Sequence, residues 1–440
     1  MQDVSIAPIA ITGITFMPAL RLITGGESHG KAIISILEGM PAGLPVDLGE
    51  INSELSARQS GYGRSGRQRI ESDHVEILGG LRHGITTGAP LTLMIENRDS
   101  ANWTHIMAST PPDMSDPAVL SALEAKKIVR FRPGHADYAG TLKYDHKDVR
   151  DVLERASARE TAARVAAGAF AQVLLRALGI ELVSHVVAIG AITSELKGQQ
   201  VASLSLAEID KRVKLSEVFC AESNASTAMK EAIKAALMSG DSLGGQVEVL
   251  ADNLPVGLGS FSQWDRRLDG QLAQALMSIQ AIKAVEIGEG IGDSKLPGSK
   301  VHDPIYPSIQ DQAPSGQPAS ASLASFASSA SLPVRRESNH AGGLEGGMTN
   351  GERLIVRAYM KPIPTLKAGL ASVTFPEFEA CQAHYERSDV CAVPAASVVA
   401  KAMVCLTLAN SVIDKFASDS MRELSASLKQ YREHCRNLNS

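Results

Sequence analysis

Two histidines stand in turns bordered by glycine. His29 lies in Gly25-Gly26-Glu27-Ser28-His29-Gly30, and His135 in Arg130-Phe131-Arg132-Pro133-Gly134-His135-Ala136-Asp137. Glycine lets the backbone turn tightly and present short polar side chains. A histidine held this way titrates near neutral pH and can give or take a proton. An ordinary turn histidine in water has the same appearance. Both side chains are expected to reach a ligand without belonging to the core. Arginine accompanies them: Arg58, Arg64, Arg67 and Arg69 fall among Gly61, Gly63 and Gly66, and Arg155 and Arg159 flank Ser157. Guanidinium groups suit bidentate contact with phosphate and carboxylate, and glycine lets a loop wrap what they hold. A solvated loop or an RNA-binding tail would also read this way. The net charge of −5 argues against the tail, and Tyr62 alone makes no stacking platform. His135 and Asp137 stand two apart in a turn and no H-E-x-x-H occurs, so no metal is expected.

Further polar clusters follow. Five glycines in 342–351 suggest backbone packed against a planar or phosphorylated ligand. Lys361-Pro362-Ile363-Pro364-Thr365 is a rigid loop carrying a cation and a hydroxyl, since each proline fixes φ. Glu386-Arg387-Ser388-Asp389 precedes the most apolar long run, 395–413, which contains Lys401 and Asn410 and reads as a buried core helix, not a membrane span.

The element that positions this chemistry starts at Arg155-Ala156-Ser157-Ala158-Arg159-Glu160-Thr161. Ser157 and Glu160 have the S-x-x-E spacing of a capping box. Apolar residues then recur at Ala162, Val165, Ala166, Ala169, Phe170, Val173, Leu174 and Ala177, the pattern of a helix with one buried face, and Gly179 ends it. A helix start flanked by arginines favours an anion, although a capped surface helix with solvated arginines shows the same residues. Strands are expected near 19–24, 33–37, 185–192, 246–250 and 354–360, and helices from Asp47 through Leu55, over 206–213 and 228–238, and from Leu268.

At 440 residues and 44% hydrophobic the composition is globular, and the acidic balance excludes a general nucleic-acid or membrane-surface binder. The five cysteines are odd in number with no C-x-x-C pair, which points to a reducing cytoplasm. Residues 1–17 read as a loose N-terminal extension without the charged start of a signal peptide. Residues 307–333, rich in Ser, Ala and Pro with Asp311 as the one charge, read as a disordered loop.

Taken in order, the stretches 26–30, 58–67, 132–137, 155–161, 342–351, 361–365 and 387–389 resemble the chorismate synthase family, whose motifs recur in this sequence between about Leu20 and Lys415. The resemblance leaves out 1–17 and 307–333. It implies an α+β fold: a single-domain β-α-β sandwich of antiparallel sheets enclosing helices, spanning 18–440, and a homotetramer. It also implies a lyase at the last step of the shikimate pathway to aromatic amino acids. There 5-enolpyruvylshikimate 3-phosphate loses phosphate and a C6 hydrogen by 1,4-anti elimination, with reduced FMN required and no net redox change.

By the same resemblance His29 protonates the departing phosphate, His135 sits near flavin N1, and Asp389 works with N5 as the base. Ser28 and Ser157 relay or orient protons. Arg58, Arg64, Arg67, Arg132, Arg159 and Arg387 cradle the substrate. Arg155, Ala156, Ser157, Gln280, Ala281, Gly346, Lys361, Pro362, Ile363, Pro364, Thr365 and Arg387 hold the flavin. Ala156 stands where the family often has Ser, and Gln280 where it often has Asn. The sequence shows no nicotinamide motif, so an external flavin reductant is expected. The competing reading is a flavin- or NADPH-dependent oxidoreductase with net redox chemistry.

Overall fold

Alternating side chains build the first sheet. In the strand Ala32–Glu38, Ile33, Ser35 and Leu37 point inward while Ile34, Ile36 and Glu38 face out. The computed structural model describes residues 19–64, 72–308, 332–367, 369–386, 388–416 and 419–438. The extension 1–17, Arg67, Arg69, Arg387 and most of 307–333 lie outside them.

This sheet joins β1 (Arg21–Gly25), β2 (Ala32–Glu38), β3 (Val75–Gly79) and, after a small hairpin of β4 (Leu81–Arg82) and β5 (Ile85–Thr86), β6 (Leu91–Glu96). Its order is β1-β2-β6-β3, antiparallel throughout. The second sheet uses β7 (Glu181–Ile189), β8 (Ile192–Thr193), β9 (Gly245–Asp252) and β10 (Ile282–Ile287). Two short ladders follow, β11 (Ile305–Pro307) with β12 (Val334–Arg336) and β13 (Leu344–Glu345) with β14 (Met348–Thr349). Then β15 (Leu354–Met360) enters its middle, giving the antiparallel order β10-β15-β9-β7-β8. The pair β16 (Ala371–Val373) and β17 (Ala380–Gln382) completes the strands.

The helices are α1 (Leu48–Gln59), α2 (Pro117–Lys126), α3 (Asp137–Tyr144), α4 (Arg150–Ala156), α5 (Thr161–Ala177), α6 (Leu206–Lys214), α7 (Ser223–Ser239), α8 (Leu268–Met277), α9 (Gly290–Asp293), α10 (Val393–Phe416) and α11 (Met421–Arg436). Asp47 caps α1 by accepting from the Gly49 N–H at 2.8 Å, as its sequence position leads one to expect. Helix α1 runs on through Arg58 and Gln59, so the Arg/Gly loop starts later than the glycines suggest.

Helices α5 and α10 fill the space between the two sheets, with α1 and α8 beside them. The outer face of the second sheet is covered in turn, where Val183, Leu250 and Ile355 meet Leu206 and Ile209 of α6. This is the expected α+β sandwich. One expectation fails: α5 does not have a single buried face. Only Arg164, Gln172, Arg176 and Ala177 escape burial, because sheet and helix enclose it from opposite sides. Helix α10 is long and apolar enough to cross a membrane, but 78% of its most apolar window is buried inside the protein. Lys401, on α10, pairs with Glu54 of α1 at 2.6 Å.

The capping box is also redrawn. Ser157 accepts from the Arg159 N–H at 3.3 Å and caps a short 3-10 turn, Ala158–Glu160, while α5 begins only at Thr161. Glu160 does not reach back; its carboxylate accepts from Thr24 and Gln280 and pairs with Arg164. The end of α5 is as expected: Gly179 takes φ +76°, its N–H meets the Arg176 carbonyl, and the Ile180 N–H meets that of Leu175.

Close approach of α5 and α10 depends on Gly168. A Cβ there would lie 2.5 Å from Ala402 Cβ and 2.6 Å from its Cα. Gly168→Ala is therefore expected to lower stability by about 1–3 kcal/mol, overpacking outweighing the gain in helix propensity. Chemical denaturation checks it, and an unchanged midpoint would contradict this packing.

The rims of 307–333 carry structure where disorder was expected. The Ser308 N–H bonds to the Pro333 carbonyl at 3.0 Å, and Ser308 Oγ to the Leu332 carbonyl at 2.6 Å, continuing the β11–β12 ladder.

Candidate active site

Each of the two turn histidines is held by a buried carboxylate. The turn after β1 is tied to α4, where the Ser28 N–H donates to the Glu154 carbonyl at 3.1 Å and the His29 N–H to Glu154 Oε2 at 2.8 Å. His29 Nδ1 lies 2.8 Å from Glu154 Oε1, and the ring stacks on Trp103 at 3.9 Å. A carboxylate only accepts, so Nδ1 carries the proton and Nε2 is left for the neighbouring space. Burial works to raise the Glu154 carboxyl, but the hydrogen bonds and charge of His29 and the charge of Arg150 outweigh it and hold it below its ordinary value. His29 itself is 7% exposed, so it belongs to the packed interior, contrary to the expectation of a free turn side chain.

His135 sits on a small lobe whose core is Ile128, Phe131, Val149 and Leu153, packed against Val373 and Phe375. Its Nδ1 lies 2.5 Å from Asp137 Oδ1. Arg132 forks onto the same carboxylate through Nε and a terminal nitrogen at 2.8 and 2.9 Å. Burial opposes ionisation of Asp137, yet the hydrogen bonds from His135 and Arg132 drive its pKa far below the usual range.

The arginines are fixed before any ligand arrives. Asp73, its side chain fully buried, binds Arg58 and also Arg159, the latter at 2.5 Å. Arg159 Nε donates to Asn97 Oδ1 at 2.7 Å, and Asn97 Nδ2 donates to the Gly30 carbonyl at 2.7 Å. One asparagine therefore orients both an arginine and the His29 turn. Burial, and the like charges of Arg159 and Arg64, bring the Arg58 guanidinium down to about 10 against the pull of Asp73. Arg64 pairs with Asp389 at 3.0 Å. The hydroxyl of Ser157 donates to Ser28 Oγ at 3.1 Å.

These groups meet around a cavity of about 490 Å³. Ser28, His29, Arg58, Arg64, Arg132, His135, Ala156, Ser157, Arg159, Gln280, Ala281, Lys361, Ile363, Pro364, Thr365 and Asp389 all line it. Three candidates do not. Arg155 turns away to donate to the carbonyls of Gly26 and Thr24, stapling β1 to α4. Pro362 is exposed beside the cavity without lining it. Gly346 tips the β13–β14 hairpin, and its neighbours Gly342 and Gly343 press on the backbone of Gly288 and Arg353. Gly342 and Gly343 thus serve chain-on-chain packing, whereas Gly346 faces open space. Arg67 and Arg387 lie outside the described residues.

Glu154, Asp73, Asn97 and Trp103 are not singled out by the sequence, and Glu386 stands there only as part of a polar cluster without a role. Only Glu154 left a local trace, its i,i+4 spacing from Arg150. Some of the buried unsatisfied polar atoms, though not all, belong to residues that line the cavity. Among the described residues Gln280 Oε1, Arg58 Nε and Arg64 Nε are buried without a partner. Ala281 holds φ +67°, unusual for a residue with a Cβ, and its carbonyl accepts from the Lys361 N–H at 2.9 Å.

A cavity with fixed positive charge and two oriented imidazoles is the equipment of an acid–base enzyme for a small anionic substrate. Residues 20–413 match the profile of the chorismate synthase family. The chorismate synthase of Desulforamulus reducens is 50% identical over 417 residues, 95% of this chain and 99% of that protein. That of Geobacter sulfurreducens is 48% identical over 417 residues with the same coverage. A solved crystal structure of a chorismate synthase superposes with a TM-score of 0.71 at 38% identity, covering 95% of this chain and 98% of that one. The chain belongs to the chorismate synthase family, and it is a lyase.

Proposed function

We propose that the cavity binds 5-enolpyruvylshikimate 3-phosphate against reduced FMN and eliminates phosphate to give chorismate, the shikimate-pathway step that leads to aromatic amino acids. The observation that carries this reading is the meeting, in one cavity, of a carboxylate-held His29 with Arg58, Arg159 and Arg64. Phosphate departs with rising negative charge, which prefixed guanidinium groups stabilise without reorganising. His29, held through Nδ1 by Glu154, delivers a proton from Nε2 to the leaving oxygen when its ring is doubly protonated, and is left as the neutral Nδ1–H imidazole. Asp389, held by Arg64, accepts the proton from the C6 side. Ser28 and Ser157 keep a hydroxyl pair beside His29.

A flavin fits the remaining residues, because the unsatisfied Gln280 Oε1 and the strained Ala281 backbone offer polar contacts for a flat heterocycle. Gln280, Ala281, Ala156, Ser157, Lys361, Ile363, Pro364 and Thr365 would hold it, with His135 beside the ring. Reduced FMN, when bound, would lend electron density to the elimination and work with Asp389, which keeps the C6 proton. The resemblance assigns Arg67 and Arg387 to substrate as well. With this reading go a cytoplasmic location, a homotetramer, an external flavin reductant, and no role for metal, nucleic acid or membrane.

An anaerobic assay tests it. Chorismate and phosphate are expected to form with chemically reduced FMN, with no net flavin oxidation, and not with oxidised FMN plus NADPH. Turnover in oxidised, flavin-free buffer would overturn the proposal. One NADPH consumed per product would establish the oxidoreductase instead.

A further inference from the structure

Arg150 has no part in the chemistry above, yet few side chains are more constrained. Its side chain is 7% exposed. Its Nε donates to the Lys126 carbonyl at the end of α2, at 2.5 Å. One terminal nitrogen lies 3.1 Å from Glu154 Oε1, the oxygen that also holds His29 Nδ1. The other lies 3.4 Å from Glu386 Oε1, three residues before Asp389. Its guanidinium carbon stands 5.0 Å over the Trp103 ring, which stacks on His29. An ordinary i,i+4 helix pair would be exposed and worth little. This one is buried and branches to a second carboxylate from a distant part of the chain.

Resting on the proposed elimination, we infer that Arg150 is a positioning residue that sets the span between the acid end of the site, His29, and the base end, Asp389. It does so by gripping Glu154 on one side and Glu386 on the other. A 1,4-elimination needs a donor at the leaving oxygen and an acceptor at C6 in one geometry, and displacement of about 1 Å in such a site costs roughly 10²-fold. Burial opposes ionisation of Glu386, but His384, Arg150 and Arg132 bring it down to about 2, so it stays an anion for Arg150 to hold. Lysine cannot replace the fork, since a single ammonium does not span two carboxylates and a carbonyl.

The test compares wild type, Arg150→Lys and Arg150→Ala. Both variants are expected to lose roughly 10²-fold in kcat, with KM for substrate and affinity for reduced FMN within a few-fold of wild type. Millimolar guanidinium should restore part of the Arg150→Ala rate and none of the Arg150→Lys rate. Without any turnover, nitrogen-15 NMR of the free protein should show the His29 Nδ1–H signal protected in wild type and exchange-broadened in Arg150→Ala. A kcat within three-fold of wild type overturns the inference. So does a raised KM at unchanged kcat, or an unaltered His29 signal. If Arg150→Ala does not fold, Glu386→Ala cuts one arm alone; it should lower kcat about tenfold at retained KM, and an unchanged kcat again overturns the inference. An inactive wild type would count against the proposed elimination, while the NMR comparison still decides the role of Arg150.

Discussion

Replacing His29 by Asn is expected to slow turnover by roughly 10²–10⁴-fold, the usual size of a general acid–base contribution, while folding and flavin binding survive. Asparagine keeps an amide donor close to the place of Nδ1, so Glu154 retains a partner and the turn keeps its tie to α4. What disappears is Nε2, the atom left for the departing phosphate. Alanine is the poorer choice, because His29 is packed against Trp103 and removing the ring takes one of several donors from a buried carboxylate and leaves a gap beside it. Single-turnover rates with reduced FMN, FMN affinity and melting temperature separate these effects. Loss of rate with normal flavin affinity supports the assignment to phosphate departure. If His29→Asn instead weakens reduced-flavin binding while His135→Asn does not, the two histidines have exchanged roles. A loss of only a few-fold would place the proton donor elsewhere.

Much of this architecture is legible because its cues are local. The strand Leu354–Met360 appears with its expected bounds, since a run of apolar residues interrupted by Arg357 alone and ending in Lys361-Pro362 has little alternative to a buried strand. The turns around His29 and His135 are announced by their glycines. Burial of α5 on all sides is not announced, because period 3.6 reveals one apolar stripe, and the small residues that admit α10 carry no periodic signal of their own. The Ser157–Glu160 spacing misleads for a related reason. Glu160 finds Thr24 and Gln280, partners 136 and 120 residues away, which compete with the local N–H it was expected to satisfy. The glycines of 342–351 suggest a ligand, although the close approach of backbone to backbone at Gly342 and Gly343 requires the same residue type.

Asp73 is the residue on which the cationic half of the site depends, and nothing near it in sequence says so. Its partners are Arg58, 15 residues back, and Arg159, 86 residues ahead. Asp73→Ala is expected to cost about 3–5 kcal/mol, because it leaves two buried guanidinium groups facing each other without a counter-charge. Burial pulls against ionisation of Asp73, but Arg58 and Arg159 prevail and hold its pKa below the usual value. The sign follows from linkage: a carboxyl lowered in the folded state contributes stability above its unfolded pKa of about 3.9, lost as pH falls through the folded value. Wild type should therefore lose an acid-side increment that Asp73→Asn lacks. The milder Asp73→Asn keeps the shape and should show a further effect. With the internal anion gone, an added one takes its place, so inorganic phosphate should raise the melting temperature of Asp73→Asn more than that of wild type. The opposite ranking, or a stability change within 0.5 kcal/mol for Asp73→Ala, would mean that Arg58 and Arg159 are held apart by something other than Asp73.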